Sequence, residues 1–565
     1  MQARTTLSLV MVGIAVLLGM FAMGWFWKSK KATTWDLESA GHPWEPGAAP
    51  IYEHIRAHIF PGALGLSEGG DRLPDEKDDG KLKWVAGGID GTFVRHGGDG
   101  SERHRTEMLH RAIRAVLGAA SSENLTTLYD QLLHDRVLGL IDPLLERIAT
   151  QQTVELTRLE HLAVWLAKNS PDREPVKFAI ALLGVVPAAD HADLLLTLGR
   201  HEEFTLYAAV ALSNSLGQNA ESHLFELAKH VDGWGRIEII ERLAATNDAK
   251  IKAWMLREGY KNSVMYEYLA YTCASVGDLR RELAQPSIDP TLLAGAGDII
   301  EALINGGPAQ DMDDYADGAF VVERYLHHVG AAPRDLKQLL AMKSILGFLD
   351  ENNAAWQARE TRGWTSTLRA SLRAKIRELK ALPDWEEAVT AGFKSEDDLT
   401  FNTAGLAARA LGLDPWDQYF ARLKSGKYDG WYYVMQTEDA ARIDLVVALA
   451  EQVMPLDKIS TGPATEMGLG LGWTHHGHLD FVLQDLRRFP GKGWPLIRTG
   501  IRSPVIRNRH MALRALSTWG KDKWPAGAEE LLVSSLQDDP DQDVRGEIKT
   551  LLAGKQLEEP RIDIE

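Results

Sequence analysis

The sequence predicts an all-α protein, an α-solenoid of stacked helix pairs that follows an N-terminal transmembrane helix and a short irregular lead-in. Three observations predict it. Leu7 to Trp27 runs without a charged residue. Beyond about Ser101, apolar residues recur three and four apart, and no alternating run is long enough for a sheet. Between Leu194 and Gly277 a helix–turn–helix pattern returns about every 30 residues.

The first element is the apolar stretch. Its 21 residues, rising about 1.5 Å each, reach about 31 Å, the thickness of a hydrocarbon core. Trp25, Phe26 and Trp27, then Lys28, Lys30 and Lys31, supply an aromatic and basic interfacial edge. Arg4 and the small-x-small triplet Ala22-Met23-Gly24 also fit a cleaved signal peptide, but the run is longer than a signal core and bulky aromatics follow it. Residues 1–31 therefore read as a retained single-pass anchor. The three lysines after the span outweigh Arg4 before it, so the positive-inside rule leans toward a cytoplasmic body.

Residues 32–100 form the lead-in. His42-Pro43-Trp44-Glu45-Pro46-Gly47 and Ala49-Pro50 cannot continue a helix, because proline lacks the amide donor and clashes with the preceding turn. A short helix is expected over Ile51–Phe60, followed by an exposed loop to Gly80. Leu82–Val85 and Thr92–Arg95 flank Asp90-Gly91, which suits a small hairpin.

Residues 101–285 carry the legible repeats. Ser215-Leu216-Gly217, Ala245-Thr246-Asn247 and Ser275-Val276-Gly277 overlay as turns, with Gly and Asn expected in the left-handed conformation that closes a helix. Ala209-Val210, Ile239-Ile240 and Leu269-Ala270 share one register, and Leu194-Leu195, Leu224-Phe225 and Trp254-Met255 share another. Such units bury their apolar faces only by stacking. Residues 286–493 are helical without a visible repeat. In 494–565 the segment Ser503–Leu516 overlays Asp539–Leu552 at a period of about 36, with Pro504 and Pro540 expected at helix starts.

Val176–Leu283 and Trp494–Leu552, including Asp543-Val544-Arg545, resemble HEAT repeats. The resemblance implies units of paired antiparallel helices stacked into a superhelix.

Composition narrows the chemistry. Of 565 residues, 45% are apolar and 25% charged, which excludes wholesale disorder. The net charge, 62 − 79 = −17, repels phosphate backbones and excludes a general nucleic-acid binder. The single cysteine, Cys273, excludes a disulfide framework and multi-cysteine metal sites, and reads as a small core residue.

The densest histidine group is Trp473-Thr474-His475-His476-Gly477-His478-Leu479-Asp480, read as a loop between helices. His475, His476 and His478 with Asp480 are the candidate metal ligands, since neutral imidazoles one or two apart can converge from a loop. The preceding Gly468–Gly472 run lacks the Lys-Ser/Thr of a phosphate loop. His54 and His58 lie one helical turn apart without a zincin motif; His104, Glu107 and His110 fall three apart; His327 and His328 point apart. No nucleophile elbow is present, and no catalytic residue or cofactor is assigned.

Two basic runs are candidate surfaces. Arg369, Arg373, Lys375, Arg377 and Lys380 surround a leucine stripe, and Arg498, Arg502, Arg507, Arg509 and Arg514 are expected to pair with acidic neighbours. Trp44, Trp431, Trp473, Trp494 and Trp524, in Pro/Gly contexts, fit either a recognition edge or plugs between repeats. The functional expectation is a membrane-anchored scaffold or adaptor that binds a protein partner, with a metal-dependent enzyme built on 473–480 as the alternative.

Overall fold

The computed structural model describes residues 35–76, 86–88, 90, 103–134, 136–151, 154–186 and 189–558. The expected span Leu7–Trp27 and the expected hairpin segments 82–85 and 92–95 lie outside these residues. Among the described residues no helix is long and apolar enough to cross a membrane. The described chain is all-helical, with one isolated parallel bridge, Glu466 to Val505, in place of any strand. It divides into two units, one ending at Trp385 and one beginning at Glu386.

The first unit opens on the lead-in, which holds a short 3-10 turn and α1 (Ile51–His58). The expected helix thus forms, and it ends before Ile59 turns to extended backbone. Then follow α2 (Arg103–Gly118), α3 (Ser122–His134), α4 (Leu138–Gln151), α5 (Leu156–Asn169), α6 (Arg173–Leu183), α7 (Ala192–Gly199), α8 (Glu202–Ser215), α9 (Ala220–Ala228) and α10 (Gly233–Arg242). Next come α11 (Ala249–Trp254), which passes into a π-helical turn, α12 (Glu267–Val276), α13 (Leu279–Leu283), α14 (Pro290–Asn305), α15 (Gly318–Ala331), α16 (Leu336–Asp350), α17 (Ala355–Thr361) and α18 (Ser366–Lys380).

These helices pack in alternation. Helices α6, α8, α10, α12, α14, α16 and α18 each lie against the next in that series, while α7 lies against α9 and α13 against α15. This is the packing expected of a helical repeat, and it continues through α14–α18, where no repeat was legible. Each shared register is a buried stripe. Ala209, Ile239, Ile240, Leu269 and Ala270 are buried between successive members, as are Leu195 and Met255 in the other set. Gly235 lets α10 approach α8 closely, since a Cβ there would overlap Thr205.

The turns follow the expected left-handed closure only in part. Gly217 has φ +54, as expected. Gly277 is right-handed and packs tightly on Leu256, and Asp278 (φ +57) makes the reversal, its carboxylate capping α13. The second turn closes through extended Thr246 with no left-handed residue.

In the second unit, α19 (Asp384–Gly392), within which the boundary falls, is followed by α20 (Asp398–Ala410), α21 (Trp416–Lys424), α22 (Trp431–Met435), α23 (Ala440–Val453) and α24 (Leu456–Ile459). The remainder are α25 (Thr474–Leu486), α26 (Trp494–Ile501), α27 (Ile506–Trp519), α28 (Ala528–Asp538) and α29 (Gln542–Leu552). Helix α27 packs on α25, α26 and α29, so the overlay of Ser503–Leu516 with Asp539–Leu552 corresponds to neighbouring helices. Pro504 and Pro540 do not occupy first helical turns. Each precedes the cap residue, Val505 or Asp541, and the Asp541 side chain caps α29.

Candidate functional site

A concentration of buried charge lies where the lead-in crosses the helices of the first unit. Apart from the 3-10 turn Glu38–Ala40, proline and glycine keep residues 35–50 out of a helix, so their backbone and rings find partners on the array instead. The Trp35 indole donates to the Val116 carbonyl (2.8 Å), Trp44 packs on Trp165 and Tyr129 (ring centroids 5.1 and 5.2 Å), and the Ile51 amide donates to Ser170 (3.0 Å). Helix α1 then lies on α5 and α7. Beyond it the chain folds back, bringing Asp71, Asp75, Gly87 and Asp90 over the first turns of α6 and α8.

Lys177 is the centre of this region. Its side chain is 2% exposed, and its ammonium lies 2.6 Å from Glu203, 2.7 Å from Asp90 and 3.1 Å from Glu174. Arg173 forks onto Asp75 (2.9 Å to each oxygen), and the Tyr207 hydroxyl donates to Asp90 (3.0 Å). The Gly87 amide donates to Glu203 (2.9 Å), and the His201 ring meets the Asp71 carbonyl (3.1 Å) while accepting from the Glu203 amide (3.2 Å).

The electrostatics decide what this cluster can do. Burial opposes the charge on Lys177, but Glu174, Glu203 and Asp90 outweigh it and hold the ammonium firmly protonated. Burial likewise opposes ionisation of Glu203, and Lys177 with the Gly87 amide reverses that effect. Burial pushes the Tyr207 phenol well up, with Asp90 adding to it. Lys177 is therefore no amine nucleophile and Tyr207 no general base. The cluster is a closed ionic clasp that fastens the lead-in to α6 and α8.

One neighbour differs. Glu202, at the start of α8, is pushed up to about 7 by burial, then by the nearby charges of Asp232 and Asp71. Burial pulls the pKa of His201 down.

The sequence reading missed this cluster because its partners are far apart along the chain. The available signal was Lys177 itself, a lone lysine inside the apolar run Pro175-Val176-Lys177-Phe178-Ala179-Ile180. A charge on a face that must be buried demands partners.

The histidine candidates fall differently from expectation. His475, His476 and His478 lie in helix α25 and not in a loop, so helical geometry spreads them. His475 and His478 share a face with ring centroids 6.1 Å apart. His476 points elsewhere, buried against Trp473 (4.8 Å), with no well-formed hydrogen bond to either ring nitrogen. Burial pulls its pKa down, although the Ile459 carbonyl opposes this. Asp480 is buried and committed to Arg507 (2.5 Å) and Asn508 (2.5 Å). Among the described residues, no group of three or more His, Cys, Asp or Glu is arranged to hold a metal ion.

Of the remaining candidates, His54, His58, Glu107 and His328 have structural partners. His58 meets the His54 carbonyl (2.8 Å), and His54 meets Gly70 (3.2 Å). Glu107 pairs with Arg111 (2.6 Å), and His110 is buried. His328 reaches the Leu283 carbonyl (2.9 Å), and Cys273 is fully buried.

In the first basic run, Arg369 and Arg373 donate to the last carbonyls of α16, and Arg369 stacks on Trp356 (3.8 Å). In the second, Arg509 Nη2 donates to one Asp539 oxygen (3.2 Å) and Arg509 Nε stands 2.9 Å from the other, both side chains at most 1% exposed. Trp431 is buried, and Trp494 and Trp524 pack on the second unit's core, so they act as plugs.

Compared with known proteins, the chain matches no protein family, no curated protein and no solved structure.

Proposed function

We propose that this chain is a membrane-anchored helical-repeat scaffold, an α-solenoid whose stacked faces hold a protein partner close to a bilayer. The observation that supports the reading is the clasp. Lys177 with Asp90, Glu174 and Glu203 joins the lead-in to the array, so an anchor placed ahead of that lead-in transmits its position to every stacked helix. Long runs of packed helix pairs offer extended surface, and confinement to a membrane raises the local concentration of whatever binds there. The apolar run Leu7–Trp27 serves as the anchor, and the lysines after it favour a cytoplasmic body. The step from repeat to scaffold is an analogy of fold.

The test is made on full-length protein, carrying a tag without histidines, solubilised from membranes. Its chemically cross-linked complexes and its metal content are measured for wild type and for a His475, His476, His478 triple alanine variant. A stoichiometric protein partner retained by both, with no metal in either, is the expected result. Near-stoichiometric metal lost in the variant, with no partner in the wild type, overturns the scaffold and favours a metal-dependent enzyme.

A further inference from the structure

We infer that the loop Phe60–Leu66 of the lead-in is a second membrane contact, inserting Phe60 and Leu64 at the headgroup boundary of a lipid bilayer. The inference rests on the anchored reading above.

From Ile59 to Leu66 the chain reads Ile-Phe-Pro-Gly-Ala-Leu-Gly-Leu, with no polar side chain in eight residues. Surface loops are ordinarily polar, because apolar groups held in water gain nothing from folding. Here Phe60 is 65% exposed and Leu64 55% exposed. The exposure is built in. The Ala63 amide closes a turn onto Phe60 (3.2 Å) around Gly62, which has φ +78. The Gly65 amide donates to the His230 carbonyl (2.9 Å), and the His230 ring meets the Ala63 carbonyl (3.1 Å). The Ser67 amide returns to His58 (2.9 Å). The backbone is thus tied to α1 and to His230 just past α9, while two large apolar side chains stay exposed.

Chain length selects the occupant. From Trp27, the end of the apolar run, to Trp35, the first described residue, there are eight peptide steps, a reach of at most about 28 Å. Trp35 is itself fixed to the array through Val116 and stacks with His161. An anchor in the bilayer therefore keeps the start of the lead-in at the membrane surface, where Lys28, Lys30 and Lys31 attract anionic headgroups. An exposed Phe–Leu tip on that same lead-in matches the interfacial zone, which accepts aromatic and aliphatic side chains. Two attachments, one spanning and one shallow, would set the orientation of the array as well as its distance.

The lone native cysteine makes the test clean. Cys273 is fully buried and burial pushes its thiol up, so an introduced surface cysteine is the reactive one. Full-length Leu64→Cys, with Phe60→Cys as a second site, is labelled with an environment-sensitive fluorophore and reconstituted into phosphatidylcholine–phosphatidylglycerol vesicles. Ala15→Cys reports on the anchor separately.

The expected result is a blue shift at position 64 or 60, loss of emission to lipids spin-labelled near the headgroup, and shielding from aqueous iodide. Iodide access at both loop positions with lipid quenching at position 15 overturns the loop inference and leaves the anchor standing. Iodide access at all three overturns both readings. A loop label shielded from iodide but untouched by the spin-labelled lipid overturns the lipid assignment in favour of a protein cover, including a second copy.

Discussion

Glu202→Gln tests whether the electrostatics at the start of α8 are those described. In the folded protein this carboxyl is pushed from 4.5 to about 7 by burial, Asp232 and Asp71. Between those values the native state holds a proton that the unfolded chain has released. Stability from this group is therefore complete below about pH 4.5 and is lost as pH rises through about 7. Taken at face value the shift corresponds to roughly 3 kcal/mol once Glu202 is ionised. Water reaching the partly exposed carboxylate reduces that to about 1–2 kcal/mol.

Glutamine keeps the shape and never ionises, so the variant should match wild type near pH 5 and gain about 1–2 kcal/mol at pH 8, a factor of roughly 5–30 in local opening. The assay is hydrogen exchange read by mass spectrometry on peptides covering residues 63–76 and 199–207, with intrinsic rates corrected for pH. Equal protection at pH 8 refutes the assignment. A gain as large at pH 5 as at pH 8 also refutes it, because packing would then be the cause.

Two further outcomes follow from buried charge. Lys177→Met strips Asp90, Glu174 and Glu203 of their shared cation in a buried site, and should cost about 3–5 kcal/mol and detach the lead-in; limited proteolysis between residues 59 and 76 should accelerate, and unchanged cleavage there would contradict the clasp. Arg509→Met should cost a similar amount, about 3–5 kcal/mol, by leaving Asp539 buried alone. Adding Asp539→Leu should restore much of that loss in thermal unfolding, and an additive double variant would show that the two charges are not coupled.

Helices were legible because their signal is local. A period near 3.6 in the apolar residues marks a face that must be buried wherever the helix packs, so α8, α10 and α12 could be aligned without knowing their neighbours. Helix α25 was misread for a local reason too. Residues 473–480 read as a loop between helices, although His476, Leu479, Leu483 and Leu486 already mark a helical stripe, and all four are buried. Read as a loop, the segment brings His475, His476, His478 and Asp480 together, whereas in the helix His475 and His478 share a face while His476 packs on Trp473 and Asp480 pairs with Arg507.

The turn chemistry shows a subtler limit. A glycine can be placed for the space it leaves instead of the angles it allows. Gly277 makes room for Leu256 while the neighbouring Asp278 takes the left-handed conformation. Composition records both uses in the same way.

By itself, then, the sequence determined an all-helical chain, a recurring helix–turn–helix unit, and an apolar N-terminal stretch of membrane-spanning length, since all three are written within windows of a few tens of residues. Only the tertiary structure decided that the lead-in is strapped across the array and clasped by charge. Lys177 lies 87 positions from Asp90, and Tyr207 lies 117 from it. Nothing in a local pattern pairs such residues. They meet because a proline- and glycine-rich segment that cannot form its own core finds its hydrogen-bond and charge partners on helices already packed.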